Sequence, residues 1–305
     1  MLRKLHLALA LILASNYAFA QGRELLNEII KKSHNGESYY ADQELFVKQN
    51  STLEPLTQIE TQLTNENSNI RYLLFNLIYQ VGFQSTNSDV RERAVYLLID
   101  NGLADAEQSL IGRNIELLSE FPSSDFSQQS RARLAAVVMN SKSYVTDLIR
   151  LSGQIKLTSL TTFFEQRLAT TKNTKEIWPL HCALARMHDI TQKAYCFNRV
   201  KRMGINDQVI QYAIPDLLYT QNKDAIDYLL ETILVDNMNC SSFNPDSSEM
   251  VNCAYRLIEL VAPFVNNFPV KVGASGDLEV ASYEKALVDV RQWIVANKTT
   301  YQVNF

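Results

Sequence analysis

Glycine and proline are scarce in this sequence, with nine glycines and seven prolines among 305 residues. All-β domains and doubly wound α/β folds need many tight turns and usually contain more of both residues. A basic cluster is also missing, and the formal net charge is −4. Because nucleic acids and anionic lipids are bound through clustered Lys and Arg, we expect neither as the main partner. What the sequence does have is a hydrophobic fraction of 46%, enough for a large core.

Motifs that signal catalysis are missing as well. There is no Gly-x-Ser-x-Gly turn, no glycine-rich phosphate loop and no isolated pair of carboxylates. His34 with Glu37 and Tyr39 could form an acid–base cluster, but we interpret this stretch as a solvated turn around Asn35-Gly36. We therefore expect a protein that is not an enzyme and that carries no cofactor.

The first twenty residues predict export. Arg3 and Lys4 form a positive start, an apolar stretch follows, and Ala18 and Ala20 place small residues where a signal peptidase needs them. The apolar stretch is too short to span a bilayer, which takes about 20 apolar residues. We predict a signal peptide cleaved between Ala20 and Gln21, a periplasmic or secreted protein, and no membrane span after cleavage.

Apolar residues recur at helical spacing through most of the chain. The clearest stripe consists of Ile70, Leu73, Leu74, Leu77, Ile78 and Val81. Further stripes begin at Val90, Ile226, Val251 and Tyr283, and Asn87, Asn206 and Ser282 are suitable helix N-caps. The pattern predicts an all-α fold of roughly fourteen helices.

The stripes pair into helical hairpins repeated about every 35 to 40 residues. Asp89-Val90-Arg91, followed by Ala94 and Leu97-Leu98, resembles the second helix of a HEAT repeat, where Asp and Arg form a ladder between neighbouring units. Pro215 and Pro263 lie inside apolar stripes, which is similar to the bent first helix of such repeats. The resemblance implies a right-handed α-solenoid, an armadillo-like α-α superhelix, of about six to seven hairpins.

These patterns suggest a division of the chain. We assign residues 1–20 to the signal peptide, 21–64 to an N-terminal helical cap, 65–237 to the HEAT-like repeats and 238–305 to a C-terminal helical cap. The tail WIVANKTTYQ, which contains Trp293, resembles the cap of some exported bacterial HEAT-repeat proteins. Segment 270–280 alternates apolar and polar residues around a glycine-containing turn, so it is either a small β-hairpin or an ordered loop.

Four cysteines form two close pairs, Cys182 with Cys196 and Cys240 with Cys253. In an exported protein an even number of cysteines in local pairs predicts two disulfides. Cys182 and Cys196 each lie seven residues from a predicted turn at Asp189, so an antiparallel hairpin would place them at the same height.

A structural zinc site is the alternative in the first of these regions. His181, Cys182, His188 and Cys196 have the side chains that zinc prefers. However, His181 and His188 lie two helical turns apart, about 10 Å along one helix, and cannot easily share an ion. We therefore expect two disulfides and no metal.

Taken together, the sequence predicts an exported, non-catalytic helical-repeat scaffold. It would bind an unknown protein or peptide partner through the concave face of the array. Two alternatives stay open: an exported α/α-toroid-like enzyme acting on polysaccharide, and an immunity or inhibitor protein.

Overall fold

The computed structural model of the protein describes residues 21–49, 52–242, 246 and 248–305. The predicted signal peptide and Ala20 lie outside the described residues, whose helical part begins at Gln21. Most of the described residues are helical, so the all-α prediction is confirmed. The chain divides into two compact units, one ending at Phe163 and the other covering Phe164–Phe305. This boundary lies inside the segment 65–237 that the sequence assigns to repeats.

The first unit is built from consecutive α-helices. They are α1 (residues 21–35), α2 (Tyr40–Gln49), α3 (Glu54–Glu60), α4 (Ser68–Gln84), α5 (Ser88–Leu97), α6 (Gln108–Ser119), α7 (Gln128–Asn140) and α8 (Val145–Gln154). A π-helical turn, Leu98–Gly102, continues α5. Helices α4 to α7 begin at intervals of twenty residues, which is the half-period of a regular series of hairpins.

Side-chain caps fix several of these starts. Asn67 and Asn87 each accept a hydrogen bond from the backbone amide two residues later, at the start of α4 and of α5. Ser127 does the same for the amide of Ser130 at the start of α7. Because the first amides of a helix have no partner inside it, such caps set where the helix begins.

The main packing contacts in this unit join some helices to the next one, as α3 to α4 and α7 to α8, and join helices that are next but one in the chain. Helix α4 packs on α5 and on α6, while α5 packs on α7 and α6 on α8. Two rows result, which we name the even row (α2, α4, α6 and α8) and the odd row (α3, α5 and α7).

Arginine–aspartate pairs connect successive members of each row. Arg71 at the start of α4 binds Asp105 ahead of α6, and Arg91 at the start of α5 binds Asp125 ahead of α7, in both cases 34 residues further on. The sequence predicts a ladder of this kind around Asp89 and Arg91. Arg91 does take part, and its acceptor is Asp125.

Helix α9 (Thr161–Thr170) begins at the end of the first unit and lies mostly in the second, whose described residues form six further helices and a small sheet. The helices are α10 (Thr174–Arg186), α11 (Ile190–Met203), α12 (Ile214–Tyr219), α13 (Lys223–Ile233), α14 (Ala254–Val261) and α15 (Tyr283–Asn297). Pro215 follows a π-helical turn at the start of α12, and Pro263 lies in a 3₁₀ turn after α14, so both prolines interrupt regular helix as predicted. Strands β1 (Cys240–Ser241) and β2 (Met250–Val251) pair antiparallel, with Cys240 opposite Val251.

The strands therefore do not lie where the sequence suggests a hairpin. Within segment 270–280 a single antiparallel bridge joins Val272 to Leu278, around a turn in which Gly276 has a φ of +90°. Val270 and Leu278 are buried against the core of the unit. Of the two alternatives for this segment, the structure shows an ordered loop closed by one bridge, and the alternation of Val270 and Leu278 with polar residues reflects its anchoring.

Candidate functional site

One of the two predicted disulfides is present. Cys240 and Cys253 are bonded, with their Cα atoms 5.1 Å apart, and the bond closes the loop that carries β1 and β2. The backbone amide of Cys253 also donates a hydrogen bond of 2.8 Å to the carbonyl of Asn237. The prediction for this pair is confirmed.

The other predicted disulfide is not formed in the structure. The sulfur atoms of Cys182 and Cys196 lie 4.0 Å apart, both fully buried in the α10–α11 hairpin. Cys182 and Cys196 do lie side by side across the hairpin, as their equal distance from Asp189 predicts. Their sulfur atoms nevertheless lie beyond the roughly 2 Å of a disulfide bond.

The histidines of the zinc alternative have other surroundings. The Nδ1 atom of His181 lies 2.5 Å from Oε1 of Gln192, and its ring stacks on Tyr195 with centroids 4.0 Å apart. His188 occupies the turn between α10 and α11 with a φ of +75°. Within the part of the chain that the structure describes, no group of three or more His, Cys, Asp or Glu could hold a metal ion.

His34 lies in the last turn of α1, and the residues that follow it form a turn. Gly36 has a φ of +72°, and Nδ2 of Asn35 donates to Oε1 of Glu37 over 2.9 Å. The rings of Tyr39 and Tyr40 stack with centroids 5.3 Å apart. In this arrangement the Glu37 carboxylate bonds to its neighbour within the turn, as the interpretation of the stretch as a turn requires.

A surface of exposed aromatic side chains lies on α4. Tyr72, Asn76, Tyr79 and Phe83 follow one another at helical spacing on the side opposite the buried stripe. Tyr72 and Phe83 are each 48% exposed. We name these four residues, together with Arg113 of the neighbouring α6, the aromatic face.

The aromatic rings on this face are held in place by each other. Tyr79 stacks on Phe83 with centroids 5.2 Å apart, and both meet the buried Phe121 edge-on, at 5.7 and 6.0 Å. Because rings packed in this way lose little further freedom on binding, they suit a recognition surface.

Polar groups on the same face are positioned across helices. Nη2 of Arg113 donates to Oδ1 of Asn76 over 3.0 Å. Burial raises the pKa of Tyr79, and the nearby Glu120 carboxylate adds to this effect while Arg113 opposes it. The tyrosine therefore keeps its proton and stays a hydrogen-bond donor at neutral pH.

Two amide side chains also form hydrogen bonds between neighbouring helices of the even row. Nε2 of Gln43 on α2 donates to Oε1 of Gln80 on α4 over 2.8 Å. Gln154 on α8 donates to the backbone carbonyl of Ser119 on α6 over 2.5 Å. Since an amide has two donors and an acceptor oxygen, these side chains retain capacity to bind a polar ligand such as a peptide backbone.

The aromatic face was missed in the sequence, although a signal was present. Tyr72, Tyr79 and Phe83 fall between the positions of the buried stripe, so a helix wheel shows them on the opposite side. In the second unit, Trp178 of α10 donates its indole N–H to Asp216 over 2.6 Å and packs against the core, so it is not part of this face.

Comparisons of the chain with protein-family models, with curated proteins and with solved structures gave no match. The resemblance to HEAT repeats therefore stays a prediction. Among the helices that the structure describes, none combines the length and the apolar character needed to cross a bilayer.

Proposed function

We propose that the protein is an exported helical-repeat scaffold that binds a protein or peptide partner through the aromatic face. The observation that carries this proposal is the exposure of Tyr72 and Phe83 beside Arg113. Tyrosine and arginine are enriched among residues that dominate binding energy at protein interfaces, and aromatic rings supply large contact areas. We choose this face because its aromatic side chains are exposed, whereas the sequence suggested the concave face of the array.

The regular spacing of inter-helix links supports a solenoid of repeated hairpins. Pairs on the odd row, such as Arg93 with Glu60, lie 33 residues apart, and pairs on the even row, such as Arg113 with Asn76, lie 37 apart. Such a nearly constant offset is expected when each hairpin stacks on the next one. The Cys240–Cys253 disulfide supports an oxidising compartment and hence export.

An immunity or inhibitor protein would use the same kind of surface, so it differs from this proposal only in the identity of the partner. We therefore choose an experiment that first tests the face and then identifies what is bound there. It compares two positions of equal exposure, Tyr72 on the even row and Met139 on the odd row, each 48% exposed.

A photo-crosslinking amino acid is introduced at Tyr72 or at Met139 of the full-length chain, which is expressed in its native host. We expect a defined crosslinked protein at position 72 and not at position 139. The captured protein is then purified, and its affinity for Phe83→Ala and Arg113→Ala variants is measured. We expect each change to weaken binding about tenfold or more.

Equal crosslinking at both positions, or unchanged affinity of both variants, would contradict the aromatic face as the binding site. Export is tested in the same strain by fractionation and N-terminal sequencing. The mature chain should begin within about two residues of Gln21, and an exported product that still begins at Met1 would refute the predicted cleavage.

A further inference from the structure

Two neighbouring cavities lie beside the C-terminal tail in the second unit. The first, of about 300 Å³, lies beside α13 and α15 and is lined by Lys223, Asp227, Trp293 and Tyr301 among others. The second, of about 240 Å³, is lined by the same Trp293 and Tyr301 and by several amide side chains. Because Trp293 and Tyr301 line both, the two cavities adjoin at these aromatic residues.

The aromatic residues are fixed in position. Phe268 meets the Trp293 ring edge-on with centroids 5.2 Å apart. The Tyr301 hydroxyl donates to the carboxylate of Asp227, and the ammonium group of Lys223 lies 4.6 Å from the centroid of the Tyr301 ring. These contacts hold both rings in place before a ligand arrives, and Lys223 covers one face of the Tyr301 ring.

Charges in the first cavity are balanced. Lys223 binds Asp227 at 2.9 Å, and Lys298 binds Glu231 at 3.1 Å. A cavity lined by two such pairs has no excess of either sign, so it gives a charged ligand no net Coulomb attraction. It favours a neutral ligand that is rich in hydrogen-bonding groups.

The second cavity provides groups that recognise hydroxyls. Asn266, Asn267, Asn297 and Gln302 line it. An amide both donates and accepts hydrogen bonds, so adjacent amides can bind the neighbouring hydroxyls of a sugar ring, each of which does the same. The tail itself is anchored here, since the amide of Asn266 donates to the carbonyl of Gln302 over 3.0 Å.

We propose that these two cavities form a binding site for a neutral carbohydrate, with sugar rings against Trp293 and Tyr301 and hydroxyls on the amides of the second cavity. Pockets of this kind combine an apolar surface with a few polar groups that set orientation. The site is independent of the aromatic face of the first unit, so either proposal can fail without the other.

The two tryptophans of the chain allow a direct test. The full-length protein is labelled with 5-fluorotryptophan, giving one ¹⁹F resonance for Trp293 and one for Trp178, which lines neither cavity. Maltose, cellobiose and N,N′-diacetylchitobiose are titrated as neutral probes, and trigalacturonic acid as an anionic one. We expect a saturable shift of the Trp293 resonance alone, with at least one neutral probe and not with the anionic probe.

Two variants test the assignment of residues. Asn267→Gly removes an amide while keeping the φ of +55° that this position adopts, because glycine tolerates it. We expect it to weaken binding about tenfold, the effect typical of a lost ligand hydrogen bond that leaves polar groups unpaired. Tyr212→Ala, an exposed aromatic change outside both cavities, should leave affinity unchanged.

Circular dichroism and thermal unfolding check that each variant is folded. The proposal is overturned if no neutral probe shifts the Trp293 resonance up to about 20 mM, the range of weak sugar binding. It is also overturned if the anionic probe binds more tightly, or if Asn267→Gly binds as the unchanged protein does.

Discussion

At the scale of single residues, Arg71 shows how one side chain joins two hairpins. It donates to both carboxylate oxygens of Asp105, at 2.7 and 2.8 Å, and to the backbone carbonyl of Asn65 at 2.8 Å. Asp105 also accepts the amide of Glu107 over 2.8 Å. The two side chains are only 13% and 3% exposed, so the pair is shielded from water.

The first prediction concerns this pair. Arg71→Ala leaves the Asp105 carboxylate buried without its counter-ion, which should lower the free energy of unfolding by roughly 2–3 kcal/mol. Arg93→Ala is the matched control, because the Arg93–Glu60 pair is far more exposed and its loss should cost about 0–1 kcal/mol. Denaturant unfolding of both variants measures the difference, and equal losses would contradict the structural role of Arg71.

The same pair predicts a dependence on pH. Burial raises the pKa of Asp105, but the hydrogen bonds from Arg71 and from the amide of Glu107 outweigh this effect and hold the pKa below its ordinary value. A depressed pKa means that the stabilisation is complete above the unfolded pKa of about 3.9 and is lost as the pH falls through the folded value. The stability gap between Arg71→Ala and the unchanged protein should therefore narrow in acid, and a constant gap would argue against this explanation.

At the scale of elements, the sequence predicts helices well because their signals are local. Every member of the stripe from Ile70 to Val81 is buried, and Asn87 and Ser282 cap the helices that follow them. The predicted Cys182–Cys196 bond is absent from the structure, where the sulfurs lie 4.0 Å apart, because equal height along a hairpin does not by itself place two sulfur atoms at bonding distance. A helix wheel of α4 shows Tyr72, Tyr79 and Phe83 on one side, but the approach of Arg113 from α6 depends on which helices become neighbours, and a single sequence does not show that directly.

The second prediction concerns the loop closed by Cys240 and Cys253. Peptide mapping of unreduced protein should recover this pair linked, and alkylation after denaturation without reductant should label Cys182 and Cys196. Replacing both Cys240 and Cys253 with Ser should lower the free energy of unfolding by about 3 kcal/mol, since the bond constrains a short loop in the unfolded chain.

Replacing Cys182 and Cys196 with Ala is the matched double change. It removes two buried sulfurs without opening a covalent loop, so it should have the smaller effect, through packing alone. Recovery of a Cys182–Cys196 peptide from the unreduced protein would show that the sulfurs close to bonding distance in solution and would restore the expectation from the sequence.

At the scale of the whole molecule, the division into two units is the feature that a repeat period does not reveal. The core of the second unit is a continuous cluster that runs from Val200 to Ile294. In the first unit, each row is held together by packing between helices that are next but one in the chain. The Arg71–Asp105 and Arg91–Asp125 pairs lie along these rows. Each unit therefore has an interior of its own, through which a local perturbation can spread.

The third prediction follows from this division and uses hydrogen exchange of the intact chain. Arg71→Ala should speed exchange mainly in α4 to α7, because stability in such arrays passes between neighbouring helices. Loss of the Cys240–Cys253 bond should speed exchange mainly in α13 to α15, which surround the closed loop. The two protection maps should overlap little. If either change raised exchange equally through residues 21–305, the chain would behave as one cooperative body, and the two units would not be separate folding units.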